Sequence, residues 1–403
     1  FKASYGLVGN DQIGNDSDRF FYISNVLLNQ ANKGFLTGSD LTNENFIPGV
    51  GITRYGNDQI TWETGHKLNV GLELGLFNAL TLELDLFSET RTNILSDRII
   101  PASLGLQAPV RANIGEAKSN GVDASLVYNK SFTQDLWLEG RVNFTYAKNK
   151  ITKTEEPDYS ATPWRSRVGQ PISQPFGYVA ERLFIDQEEV NNSPAQFGEY
   201  SGGDIKYKDI DGNGVINTLD QVPIGSPTDP EIVYGFGFSV GYKGIDISCF
   251  FQGSANSSFF IDTQRANPFV SYRDPDASGG IAGAVNNQLL KVWADSHWSE
   301  NNRDIYAKWP RLSGNDNFIE NNLQPSTWFL QDGSFLRLKS IEMGYNLPKD
   351  ITTKLGLQKF RIYTSATNLL YFSKFKLWDP ELAGNGFRYP LQRVMNLGIN
   401  ISI

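Results

Sequence analysis

The chain has 403 residues, 38 of them glycine and 13% aromatic, with 44 acidic against 36 basic side chains for a formal charge of −8. That balance gives no electrostatic footprint for nucleic acid, and one cysteine excludes both an internal disulfide framework and a thiolate zinc cluster. A mean hydropathy of −0.34 and the lack of an 18-residue apolar run exclude transmembrane helices, but not transmembrane strands, which show lipid only every second residue.

Phe1-Lys2-Ala3-Ser4-Tyr5 already reads as a strand, with no signal peptide before it, so the chain is expected to be a fragment whose N-terminal part lies elsewhere. After this first strand (1–8), segment 66–76 places Leu68, Val70, Leu72, Leu74 and Leu76 on one face and Lys67, Asn69, Gly71, Glu73 and Gly75 on the other. Segment 80–90 begins Leu80, Leu82, Leu84, Leu86 against Thr81, Glu83, Asp85. A weaker pattern at 118–129 leads to 135–147, where Leu138, Gly140, Val142, Phe144 and Tyr146 alternate with Glu139, Arg141, Asn143 and Thr145. Segment 232–242 sets six apolar or aromatic residues at even positions against Val233, Gly235, Gly237, Ser239 and Gly241. Weaker strands follow at 245–253, 334–346 and 358–370, and the last sets Met395, Leu397, Ile399, Ile401 and Ile403 against Asn396, Gly398, Asn400 and Ser402. These ten strands are long enough to cross a bilayer when tilted, and roughly twice the usual soluble length.

Their connections alternate strictly. Short links follow 76, 129, 242 and 346, and long loops occupy 9–65, 91–117, 148–231, 254–333 and 371–391. In an up-and-down barrel this puts all short turns on one side of the membrane and all long loops on the other. The fold class is therefore all-β, a transmembrane antiparallel up-and-down β-barrel with long extracellular loops. A soluble sandwich explains the alternation but neither the strand length nor the short–long order.

The sharpest chemical motif runs from Asp209 to Asp220. Asp209, Asp211 and Asn213 supply oxygens at positions 1, 3 and 5 of a calcium loop. Gly214 stands at 6 for the sharp turn, the Val215 carbonyl at 7, Asn217 at 9 and the Asp220 carboxylate at 12. Calcium takes six to eight oxygens, and this spacing gathers them; the expected role is structural, ordering loop 148–231. A polar turn hairpin without metal suits the same spacing. Loop aromatics Trp164, Phe176, Tyr178, Trp293, Trp298, Trp309, Trp328 and Trp378 suit stacking on sugar rings or contact with a partner, or else packing within the loops or an interfacial belt near the headgroups. Catalysis lacks a constellation. His66 and His297 have no zinc spacing, Glu155-Glu156 and Glu188-Glu189 read as solvated loop charges, and Cys249 alternates with Ile247 and Phe251 as an inert thiol.

A dozen short motifs, in order along the chain, resemble those of the SusC-like (RagA-like) TonB-dependent transporters. They include Trp62-Glu63-Thr64 with Asn69-Val70-Gly71-Leu72-Glu73-Leu74-Gly75-Leu76-Phe77, and Asn113-Ile114-Gly115-Glu116 with Asn120-Gly121-Val122-Asp123. Gly169-Gln170-Pro171-Ile172, Gly203-Asp204-Ile205-Lys206-Tyr207, Ser334-Phe335-Leu336-Arg337-Leu338, Gly344-Tyr345-Asn346-Leu347-Pro348 and Asp379-Pro380-Glu381 continue the series. The resemblance implies a 22-stranded barrel around a plug, of which this chain is the C-terminal part, with the plug and N-terminal strands absent. It implies an outer-membrane importer of oligosaccharides or peptides, a SusD-like surface lipoprotein as partner, and energy from the TonB complex through the absent part. Ile403 departs from the aromatic ending of many outer-membrane proteins. The competing readings are a calcium-dependent adhesin or glycan-binding barrel, and an outer-membrane enzyme, for which two isolated histidines offer little.

Overall fold

The computed structural model describes residues 1–11, 20–37, 46–269, 271–272, 285–286, 288–313 and 319–403. Ten strands form one antiparallel sheet in chain order: β1 (Lys2–Asn10), β2 (Glu63–Leu76), β3 (Leu80–Asp97), β4 (Arg111–Ser131), β5 (Leu136–Lys153), β6 (Ile232–Tyr242), β7 (Ile245–Ala255), β8 (Phe335–Asn346), β9 (Lys359–Ser373) and β10 (Val394–Ser402). All ten predicted strands are present, each paired with its neighbours in sequence.

Register turns the alternation into two chemically distinct faces, because cross-strand partners share a side of the sheet. One row runs Leu74–Leu82–Leu126–Val142–Phe236–Phe251 across β2 to β7. The row beside it, on the opposite face, runs Glu73–Glu83–Ser125–Asn143–Gly235–Gln252. At the far end Tyr345, Ile362 and Ile399 align across β8, β9 and β10. The polar face carries its own ion pairs, Lys2 with Asp85 at 3.0 Å and Arg361 with Glu342 at 2.8 Å. The apolar face stays uncovered: Leu397 is 81% and Ile399 60% exposed.

The ladders extend beyond the predicted strands on the long-loop side. Loop 91–117 shrinks to 98–110, because β3 continues to Asp97 and β4 begins at Arg111. Asn93, at φ 57°, sits in a bulge where the pairing shifts between Arg91, Ile94 and Leu95. An extra residue breaks period two without ending the strand, which is why the alternation stops near residue 90. Between β1 and β2 a separate hairpin pairs Asn25–Leu36 with Phe46–Arg54.

At the opposite end the turns are tight. Lys243 (φ 48°) and Gly244 (φ 85°) make a two-residue link from β6 to β7, the left-handed pair whose twist suits a hairpin. The sheet does not close: β1 pairs only with β2, and β10 only with β9, among the described residues. The buried core lies in the long loops instead, where Tyr178, Leu183, Ile205, Tyr207, Trp293, Trp309 and Phe329 form one cluster.

Candidate functional site

The loops β5–β6 and β7–β8 build one cap because each supplies part of a core, joined by Phe375 after β9, and part of a polar network. Trp293 and Trp309 lie 4.7 Å apart, centroid to centroid, and Trp309 meets Phe329 at 5.3 Å. Asp204, fully buried, accepts from Arg311 Nη2 at 2.8 Å, Asn322 Nδ2 at 2.9 Å and the Ser201 amide at 2.8 Å. A buried carboxylate is tolerable only when paired and hydrogen-bonded in this way. Within the first loop Glu189 accepts from Arg182 Nη1 and Lys206 Nζ, both at 2.9 Å. Burial alone would raise its carboxyl, but Arg182, the Ile185 amide and Lys206 outweigh burial and hold it at about 2.

The acidic loop lies on this cap. Carboxylate oxygens of Asp209, Asp211 and Asp220 fall within 4.8 Å of one another, a group that can hold a metal ion. Gly212 (φ 74°) and Gly214 (φ 83°) take the left-handed conformations that bend the chain around them. Asp209 accepts the amides of Gly212 and Gly214, each at 2.8 Å. Burial pushes its carboxyl up, and those amides, together with Asp211 and the Asn213 amide, bring it below the usual range. Asp220 is fully buried and accepts the Ile210 amide at 2.7 Å and the Asn217 amide at 2.8 Å.

The other three predicted ligands share the turn but serve it by hydrogen bonds. Asn213 Oδ1 accepts the Val215 amide, Asn217 Oδ1 caps the 3-10 turn Thr218–Asp220 through the Leu219 amide, and the Val215 carbonyl accepts from Asn217 Nδ2. Ile216, next in line, is buried and donates its amide to the Ala195 carbonyl at 2.7 Å, anchoring the acidic loop to the cap. Every donor in the group is oxygen, which suits a hard cation.

The loop aromatics are mostly core. Tyr178, Trp293, Trp298 and Trp309 are buried, Trp164 donates to the Leu219 carbonyl at 2.8 Å, and Trp378 donates to the Ala383 carbonyl at 2.8 Å. Phe176 lies under the Arg167 guanidinium. His66 faces the Tyr5 hydroxyl at 3.2 Å, His297 contacts the Trp293 carbonyl at 3.0 Å, and neither belongs to a metal-holding group among the described residues. Sequence reasoning missed Lys308 and Lys376, which line one depression with Trp328. They stand 68 residues apart in loops without periodicity, so no local signal joins them.

Residues 26–369 match the family described as TonB dependent receptor-like, beta-barrel. The chain is 28% identical over 393 residues to TonB-dependent receptor P3 of Formosa agariphila, covering 94% of this chain and 35% of that protein. It is 24% identical over 417 residues to TonB-dependent receptor SusC of Bacteroides thetaiotaomicron, covering 100% of this chain and 37% of that one. A solved structure of the RagAB peptide transporter superposes with a TM-score of 0.66 at 23% identity, over 100% of this chain and 40% of its own. The chain thus spans well under half the length of these relatives. With the match covering most of its length, the chain belongs to the TonB dependent receptor-like β-barrel family.

Proposed function

We propose that the chain supplies the ten C-terminal strands of a 22-stranded, TonB-driven importer that takes up oligosaccharides or peptides together with a SusD/RagB-like surface lipoprotein. The carrying observation is the two-faced sheet whose β5–β6, β7–β8 and β9–β10 loops, at one end, fold into a cap with its own core. The uncovered apolar face suits lipid, the polar face suits a water-filled or plugged interior, and the cap stands where cargo and lipoprotein would arrive. The group Asp209, Asp211, Asn213, Val215, Asn217 and Asp220 would hold calcium as a structural ion, fixing the β5–β6 loop.

Tagged full-length receptor purified from outer membranes is expected to bring a surface lipoprotein with it. A strain lacking the receptor is expected to lose growth on one oligomeric nutrient while keeping growth on its monomer. Undiminished growth on every oligomer tested would sink the importer reading.

A further inference from the structure

We infer that a depression in the loop cap is a binding subsite for an acidic oligosaccharide, one whose rings carry carboxylate or sulfate groups. This rests on the importer reading and adds the charge of the cargo. The cavity measures about 520 Å³, inside the range of about 300–1,000 Å³ usual for small-ligand sites. Three stretches of chain meet there: 306–308 and 327–331 of the β7–β8 loop, and 374–377 just after β9. The floor is apolar, with Trp293, Ala307, Phe329 and Phe375 all buried.

The rim decides the ligand's charge. Lys308, Lys374 and Lys376 line it, all exposed, and no carboxylate does. Lys374 shares its charge with Asp332 at 3.3 Å, whereas Lys308 and Lys376 have no carboxylate partner among the described residues. In a chain of net charge −8, a cationic rim so weakly countered concentrates anions locally and offers charge-assisted hydrogen bonds to them.

The remaining lining favours a sugar as the carrier. Tyr306 is 69% exposed and Trp328 half-buried, leaving ring surface for the C–H face of a pyranose. Thr327 accepts from the Ala180 amide at 2.9 Å and keeps its hydroxyl hydrogen to donate. The Gln331 amide both donates and accepts, as sugar hydroxyls do. At the floor, the Trp293 indole N–H is buried without a partner among the described residues. The acidic groups answer to the lysines, and the rings that carry them answer to Tyr306 and Trp328.

The test titrates purified full-length receptor in detergent with hexagalacturonate, a sulfated galactan hexamer, neutral maltohexaose and hexaglutamate. An acidic sugar is expected to bind and maltohexaose not. The double variant Lys308→Ala/Lys376→Ala should weaken binding about a hundredfold, roughly tenfold per charge-assisted contact. The Lys308→Arg/Lys376→Arg variant should restore most of it. Hexaglutamate binding more tightly than either acidic sugar overturns the sugar assignment. Equal binding of maltohexaose, silence from all four probes, or indifference to the alanine variant overturns the subsite. Titration needs no energy source, so binding without uptake defeats the importer reading alone, and uptake confined to neutral or peptide cargo defeats the subsite alone.

Discussion

Two acidic sites of the cap have separable roles: Glu189 is bound to cations already in the chain, and the group Asp209, Asp211 and Asp220 is the one proposed to take a cation from outside. Glu189 titrates at about 2 when folded and near 4.5 when not. Its network therefore stabilises fully above pH 4.5 and loses its contribution as pH falls from 4.5 towards 2, about 3 kcal/mol in all. Limited proteolysis of the β5–β6 loop should accelerate across that window in the wild type. Glu189→Gln should be cleaved faster at pH 7 and change little below it; a variant as resistant as wild type at pH 7 would show that the network carries no stability. For Asp209, Asp211 and Asp220, calcium at a hundred times its dissociation constant should protect the same loop by about 2.7 kcal/mol. Asp211→Ala should abolish that protection while strands β1 to β10 stay folded. Equal protease resistance of wild-type protein with calcium and with chelator would remove the metal from the account. The gathering of Asp209, Asp211 and Asp220 was legible in sequence because the three lie within one short turn of chain. The lysines of the depression were not, since only the packing of Trp293 and Phe329 brings their segments together.

The strands follow a simpler rule, in which period two sorts residues between two solvents. Leu84, central in its alternating segment, lies in the row Leu72–Leu84–Ala124–Phe144, while neighbouring Glu83 lies on the polar face. Arginine at a lipid-facing midplane position costs about 2–4 kcal/mol, so Leu84→Arg should destabilise the full-length barrel in vesicles by that amount. Glu83→Arg, one residue away, should cost much less. Denaturant unfolding followed by tryptophan fluorescence compares them, and equal costs would mean that the faces are misassigned. The same rule explains how far the elements could be read. Alternation located all ten strands, but it fell silent at Asn93, where a bulge adds a residue and the strand continues. The cap obeys no period at all. Its elements are short, such as Gln187–Asn191 and Lys291–Asp295, and its contacts join residues more than a hundred apart, as Asp204 with Arg311. Nothing in a local window encodes those pairs.

At the scale of the molecule the open sheet sets the strongest constraint. Strands β1 and β10, nine residues each, have one partner apiece among the described residues, so about half of the backbone groups on each faces outward from the sheet without a ladder. In hydrocarbon every such group costs several kcal/mol, and two edges together exceed the whole stability of about 5–15 kcal/mol typical of a domain. The proposed importer therefore requires further strands between β10 and β1 when the protein is in the membrane. Residues 1–403 produced alone should fail to give the compact, heat-sensitive gel migration of a folded barrel. Supplying the rest of the receptor as a second fragment should restore it. In the full-length protein with Cys249→Ser, the pair Tyr5→Cys and Leu397→Cys should not form a disulfide under oxidation, since intervening strands keep β1 and β10 apart. Efficient crosslinking of that pair would mean that ten strands close on themselves. The barrel would then be too narrow to hold a plug, and a small passive pore would replace the importer.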